Sequence, residues 1–344
     1  MTVRHVPAEY RTIQAAVNDA RPGDTIRVAG GVYPEAVHIG TGKDRLAIIG
    51  SGPDSVIVQG DETQIGFHIA GSSYVTIAGL TVTGFLHGIQ IGTSDNVIMN
   101  VTVTGSADDG ISVLASGSRN LFLNIVCRAN QGDGIQIAGA SNYVVKSEFR
   151  DNQDDGIDFV GPRNLAYANQ VTGNDSGIDA TNDLNLVIGN QFNGNVRGIG
   201  IGGVGNLVYR NVTDRNQEFG LGFGGMSAGL VLANTAECNQ QQGLLLDGGG
   251  GNTVILNELK DNGLQGIDLA LGSSDNVIDD NRVAENGAAG IRVGARSVNN
   301  AIRRNRLVAN NPDIQAPPPG DRSNVFDENR CRTGDPARLC PPCE

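Results

Sequence analysis

Five aspartates, Asp109, Asp133, Asp155, Asp158 and Asp179, stand at two fixed offsets from a glycine that returns every 21 to 24 residues. The position just before the glycine reads His87, Asp109, Asp133, Asp155, Ser176, Arg197 and Phe219 in successive repeats. The position two places after it reads His68, Gln90, Ser112, Gln136, Asp158, Asp179 and Gly200. If consecutive repeats stack as paired strands, these carboxylates come within about 5 Å of their neighbours along the stacking direction. Like charges that close raise each other's pKa, so something must neutralise them. A hard cation, most simply Ca²⁺, would take oxygen ligands from Asp133, Asp155, Asp158 and Asp179. Alternatively one carboxyl stays protonated and serves as general acid. Asp158 and Asp179, at about 5 Å, would match the spacing of retaining glycosidases, whereas two repeats would give about 9.6 Å, near the inverting limit.

Each of these residues also has a plainer reading. Aspartate before glycine is an ordinary turn residue, which accounts for Asp109, Asp133 and Asp155 as corners. Asp158 and Asp179 fall inside strands, where aspartate is disfavoured, and there function is the stronger reason. Arg197 reads as a corner or salt-bridge partner as well as a base. His68 and His87 read as surface residues, and Phe219 as packing or as a platform for a sugar ring.

The elements that would position these groups follow from the repeat itself. A glycine followed by Ile, Leu or Phe occurs at Gly66, Gly88, Gly110, Gly134, Gly156, Gly177, Gly198, Gly220, Gly243, Gly266 and Gly290. Between the glycines run three asparagine columns, exemplified by Asn120, Asn142 and Asn164, by Asn169, Asn190 and Asn211, and by Asn130, Asn152 and Asn174. Asparagine tolerates left-handed backbone and bonds its own chain at turns, so three such corners imply three short strands per coil. Stacked amides can also bond the coil above and below. Short alternations such as Ile135-Gln136-Ile137 and Leu186-Val187-Ile188 supply the strands. The fold class expected is all-β, a right-handed parallel β-helix of about a dozen coils. It fills residues 1–311, with 312–344 an irregular cap or tail begun by Pro312 and Pro317-Pro318-Pro319. At the N-terminus, Ile13, Ala16, Val17 and Ala20 form one helical stripe that plugs the open end of the core.

Composition narrows the partners. The 344 residues include 49 Gly and no Trp and carry a net charge of -12, which speaks against a nucleic-acid partner, since phosphate binding needs a concentrated Lys/Arg face and none is visible. A polyanionic ligand would need a bridging divalent cation. No apolar run is long enough to span a membrane, and the segment from Met1 to Tyr10 has no signal-peptide core, so the expected compartment is cytoplasmic unless a leader has been removed. Cys127 and Cys238 read as small core residues. Cys331, Cys340 and Cys343 leave room for one disulfide in the tail.

The opening segments Arg11-Thr12-Ile13-Gln14-Ala15-Ala16-Val17, Pro22-Gly23-Asp24-Thr25-Ile26 and Gly31-Val32-Tyr33-Pro34-Glu35 resemble the N-terminal cap of the pectin-lyase-like superfamily, and the repeats resemble its β-helix region. The resemblance covers about residues 5–311 and implies the fold strongly, the activity weakly. Asn152-Gln153-Asp154-Asp155-Gly156-Ile157-Asp158 is similar to the Asn-Thr-Asp-Gly-x-Asp motif of polygalacturonases, by which Asp155 would be the acid and Asp158 its companion. The next repeat offers Asn174-Asp175-Ser176 in place of that family's paired aspartates, and its Gly-His-Gly and Arg-Ile-Lys motifs are missing. By residue type Asp155, Asp158, Asp179 and Arg197 look like the machinery of pectate lyases, in which Asp-bound Ca²⁺ acidifies the proton that an Arg removes. The expected function is therefore an enzyme acting on a uronate-containing polysaccharide by Ca²⁺-assisted elimination or epimerisation. The alternatives are a hydrolase with paired aspartates and a non-catalytic scaffold that binds a glycan or protein.

Overall fold

The computed structural model of the chain describes residues 2–317 and 323–340; Pro318, Pro319 and Cys343, named above, lie outside them. The described residues form two compact units, Met1–Asp175 and Ser176–Glu344, each a parallel β-helix.

In the first unit the strand Val3–Val6 pairs in parallel with Thr25–Val28. Between them the helix Ile13–Asp19 buries Ile13, Ala16 and Val17, the stripe expected. Its first turn is doubly capped: Thr12 Oγ1 accepts from the Ala15 N–H at 3.1 Å, and the Glu35 carboxylate accepts from the Ile13 and Gln14 N–H groups at 2.8 Å each. A carboxylate at a helix N-terminus satisfies orphan donors and complements the helix dipole. Arg4, buried, anchors this cap through ion pairs to Asp19 at 3.1 Å and to Asp24.

Thr76–Thr83 and Val97–Thr104 each run through two strand positions as one, and from residue 121 to 308 each coil spends three short strands. One runs Leu121–Leu123, Val126–Arg128 and Ile135–Ile137, and the next runs Tyr143–Val145, Glu148–Arg150 and Ile157–Phe159. They pair in register, Phe122 with Val144, Cys127 with Phe149 and Ile135 with Ile157. The inward residue is the middle one in the first two strands and the outer two in the third, so the core is a stack of Ile, Val, Leu and Phe, almost all fully buried. Full burial of one such side chain stabilises by roughly 1.5–3 kcal/mol. The third strand of each coil leaves one residue facing out, and the register gives His38, His68, Gln90, Ser112, Gln136 and Asp158 in this unit. In the second unit the same position is Asp179, Gly200, Gly222, Leu245, Asp268 and Arg292. Among the described residues, strands of this kind number six in the first unit and eight in the second, slightly more than the dozen coils expected.

The corners are asparagine ladders. Asn195 donates its backbone N–H to Asn216 Oδ1 at 3.0 Å, and Asn216 Nδ2 donates to Asn239 Oδ1 at 2.8 Å and to the Phe192 carbonyl at 3.1 Å. The left-handed residue is not the asparagine but the one before it. Arg119, Ser141, Ala168, Arg215 and Leu256 all have φ between +53° and +61°. Cys238 is one of them, at φ +55°, and is exposed, contrary to the expectation of a core thiol. The inward position of its strand is Ala236, and two residues on the chain has turned the corner. Cys127 is fully buried, as expected.

Pairing continues beyond Asn311. Ile314–Gln315 pairs with Ile291–Val293, Val325–Asp327 with Ala301–Arg303, and Gly334–Asp335 with Ile314–Gln315. A disulfide joins Cys331 to Cys340. Among the described residues no helix is long and apolar enough to cross a membrane.

Candidate functional site

In the first unit the corner before the glycine gathers acid. Asp133 donates its backbone N–H to Asp109 Oδ1 at 3.1 Å, and Asp155 donates its own to Asp133 Oδ1 at 2.9 Å. Asp109 and Asp133 thus play the part that asparagine plays at the other corners, and the turn reading holds for one oxygen of each. The second oxygens remain for other work. Asp133 Oδ2 accepts from Gln136 Nε2 at 3.3 Å, and Asp109 Oδ2 lies 3.7 Å from His87 Nδ1.

All three corner carboxylates are buried. Burial lifts the Asp109 carboxyl above its ordinary value against the pull of the Asp133 N–H. Asp133 is lifted much further, to about 8. Burial is the largest cause; the charges of Asp158 and Asp109 come next, Asp155 adds to them, and the Asp155 N–H opposes. A carboxylic acid that keeps its proton at neutral pH is the state a general acid needs.

One neighbour was not singled out from the sequence. Asp154, exposed beside Asp155, brings a carboxylate oxygen to within 4.8 Å of one oxygen each on Asp133 and Asp155. Three oxygens at that spacing fit the ligand shell of a hard cation with bonds of about 2.3–2.6 Å. Two coils before the Asp154-Asp155 doublet, Asp108-Asp109 and His87 form a second group of the same spread. Gly132 separates the doublets: a Cβ there would lie 2.7 Å from Asp109 Oδ1 and 2.8 Å from Asp108 Oδ1. The Asp-Asp doublets are the signal for Asp154 in the sequence, and a single column shows only one residue of each pair.

In the second unit Asp179 occupies the outward position of Ser176–Ala180, and Arg197, half-buried, opens Arg197–Ile201 beside Ser176. Asp179 borders a cleft of about 390 Å³ that also takes in Gly200, Gly222, Phe219, Leu245 and Asp247. Further along the same column Asp268 is fully buried under a bidentate pair with Arg292, at 2.7 and 2.6 Å, which makes it a structural acid. His68 packs against His38 with ring centres 5.0 Å apart.

The family model described as a right handed beta helix region matches residues 65–212 and 176–316. No curated protein matches the chain. Among solved structures, the Dettilon tailspike protein aligns at 17% identity over 89% of this chain and 68% of its own, with a TM-score of 0.63. The enzymatically active domain of bacteriophage CBA120 tailspike protein 2 aligns at 12% over 70% of this chain and 44% of its own, with a TM-score of 0.59. The catalytic unit of a thermostable α-1,3-glucanase from Streptomyces thermodiastaticus aligns at 12% over 93% and 66%, with a TM-score of 0.57. At these identities the likeness is one of fold.

Proposed function

The chain belongs to the right-handed β-helix family, and from that premise we propose that it is a polysaccharide-active enzyme whose chemistry is carried by the carboxylates of the first unit. The observation behind this reading is the convergence of Asp109, Asp154, Asp155 and Asp158 on one buried carboxyl, Asp133, whose pKa is pushed up to about 8 by burial first and then by neighbouring charges. Proteins of this fold include tailspikes and a glucanase, which agrees with a glycan substrate.

In the reaction this favours, Asp133 gives its proton to the glycosidic oxygen as the bond from that oxygen to the anomeric carbon breaks. Water adds to the anomeric carbon, and Asp158, ionised, takes the proton that water loses. Solvent then returns a proton to Asp133 and removes one from Asp158. The two carboxyls are thereby assigned the acid and base roles that environments of unequal burial create.

The three-oxygen group of Asp133, Asp154 and Asp155 supports a second reading. Its donor set suits Ca²⁺, which when bound would acidify the proton beside a uronate carboxylate and direct the chemistry to elimination or epimerisation. The carboxylates would then be ligands, and Asp133 would be ionised.

The test is a panel of neutral and uronate polysaccharides incubated with the full chain, with Ca²⁺ and again with chelator. New reducing ends that persist in chelator are expected. A rise in ultraviolet absorbance from unsaturated ends, present only with Ca²⁺, would replace the first reading by the second. Absence of any product, with the polymers nonetheless retained by the protein, would leave a binding scaffold.

A further inference from the structure

His87 stands shortly before the strand Ile89–Ile91 and Asp108-Asp109 shortly before Ile111–Val113, and these two strands pair in register. One imidazole and two carboxylates from successive coils therefore meet at one corner of the first unit, with a donor atom of each within 4.8 Å of the other two. His87 Nδ1 lies 3.7 Å from Asp109 Oδ2, and Nε2 lies 3.9 Å from Asp108 Oδ2. Both separations are too long for hydrogen bonds. Asp109, its side chain only 8% exposed, accepts the Asp133 N–H on Oδ1 and leaves Oδ2 turned toward the ring without a hydrogen bond. The ring nitrogen facing it, Nδ1, has no partner either. Buried polar groups are ordinarily paired, so an imidazole and a buried carboxylate that face each other unbonded call for a third party. Gly132, on the following coil, keeps the corner open, because a Cβ there would crowd Oδ1 of both aspartates.

We infer that this corner binds one divalent transition-metal ion of the Zn²⁺ class, through one imidazole nitrogen of His87 and one oxygen each of Asp108 and Asp109. Donor atoms on a tetrahedral Zn²⁺ stand about 3.4 Å apart, given bonds of about 2.0–2.2 Å. The separations of 3.7 and 3.9 Å close to that spacing by a small turn of the ring and of the Asp108 side chain. Three protein ligands leave a fourth position for water. The ion enters from the Asp108 side, where 53% of the Asp108 side chain and 16% of the His87 side chain are exposed. Imidazole selects this class of metal over Ca²⁺, which takes oxygen ligands. The two charges of the ion offset the two carboxylates, and its bonds tie one coil to the next. The group of Asp133, Asp154 and Asp155 offers oxygen alone. Metal binding at His87 does not depend on the proposed hydrolysis.

The experiment is calorimetry of the full chain, first freed of metal with chelator, against Zn²⁺ and separately against Ca²⁺. A Zn²⁺ equivalent is expected in the wild type that His87→Gln weakens at least about ten-fold. Asp108→Asn should weaken it as well. Asp108 is half exposed and its side chain makes no hydrogen bond, so this variant tests the site without risk to the fold. His68→Gln, which alters the other pair of histidines, should keep the equivalent. Asp133→Asn should keep it too while abolishing hydrolysis, which separates failure of this site from failure of the catalytic reading. The inference is overturned if no Zn²⁺ binds, if His87→Gln and Asp108→Asn bind as much as the wild type and as tightly, or if Ca²⁺ competes for the His87 equivalent on equal terms. Loss of the ion in Asp133→Asn with retention in His87→Gln would place it in the all-oxygen group and overturn the inference as well.

Discussion

A carboxyl buried among carboxylates lowers its energy either by keeping its proton or by sharing a cation, and Asp133 is placed where that choice has a measurable sign. Its folded pKa, about 8, lies above the ordinary 3.8. Between those values the folded chain holds one more proton than the unfolded chain, so stability falls as pH rises from about 4 to about 8. The loss attributable to this group is about 6 kcal/mol at most. Denaturation in chelator should show that decline in the wild type and a flatter curve for Asp133→Asn. The variant keeps an oxygen to accept the Asp155 N–H, so it should also be the more stable protein at pH 8. A wild-type curve that is flat across this range would mean that Asp133 titrates normally. The crowding of these aspartates was legible from their spacing alone. Which of them holds the proton was not, because that depends on burial and on one backbone N–H, and neither leaves a mark in the residue types.

At the scale of the element, the corner is the unit that makes the repeat. Asn216→Ala would remove the acceptor of the Asn195 N–H and both donations of Nδ2. With buried partners left unpaired, it should cost about 3 kcal/mol or more, read as a drop in the midpoint of urea unfolding. The opposite sign is expected one residue before a ladder position. Leu256 is held at φ +58° and is largely exposed, so Leu256→Gly should stabilise by up to about 1 kcal/mol as the left-handed strain is relieved. If Leu256→Gly destabilises instead, the apolar contacts of Leu256 outweigh the backbone strain. The glycine and asparagine periods disclosed the coils and the ladders because those residues are required by backbone geometry. The left-handed positions themselves were hidden, since Arg119, Ser141, Ala168 and Cys238 share no side-chain property and are chosen only by their place next to the asparagine. Cys238 was misread for that reason: its type suggested the core, and its position put it outside.

For the molecule as a whole, the net charge of -12 sets what can approach. A polyanion meets a repulsive field, whereas a neutral glycan needs no counter-ion to dock. The cleft beside Asp179 escaped the reading of the sequence because glycines line it: Gly200 and Gly222 look like interruptions in a column of Asp and Leu, and the ring of Phe219 packs where a Gly222 side chain would stand. The measurement that bears most directly on the account is the initial rate of reducing-end release from whichever polymer the chain cleaves, at pH 7 in chelator, for the wild type, Asp133→Asn and Asp158→Asn. Each variant should fall by at least about 100-fold, the usual worth of a positioned acid or base, with circular dichroism unchanged. An Asp133→Asn protein that turns over as fast as the wild type would contradict the assignment of the acid and, with it, the catalytic role of the first unit.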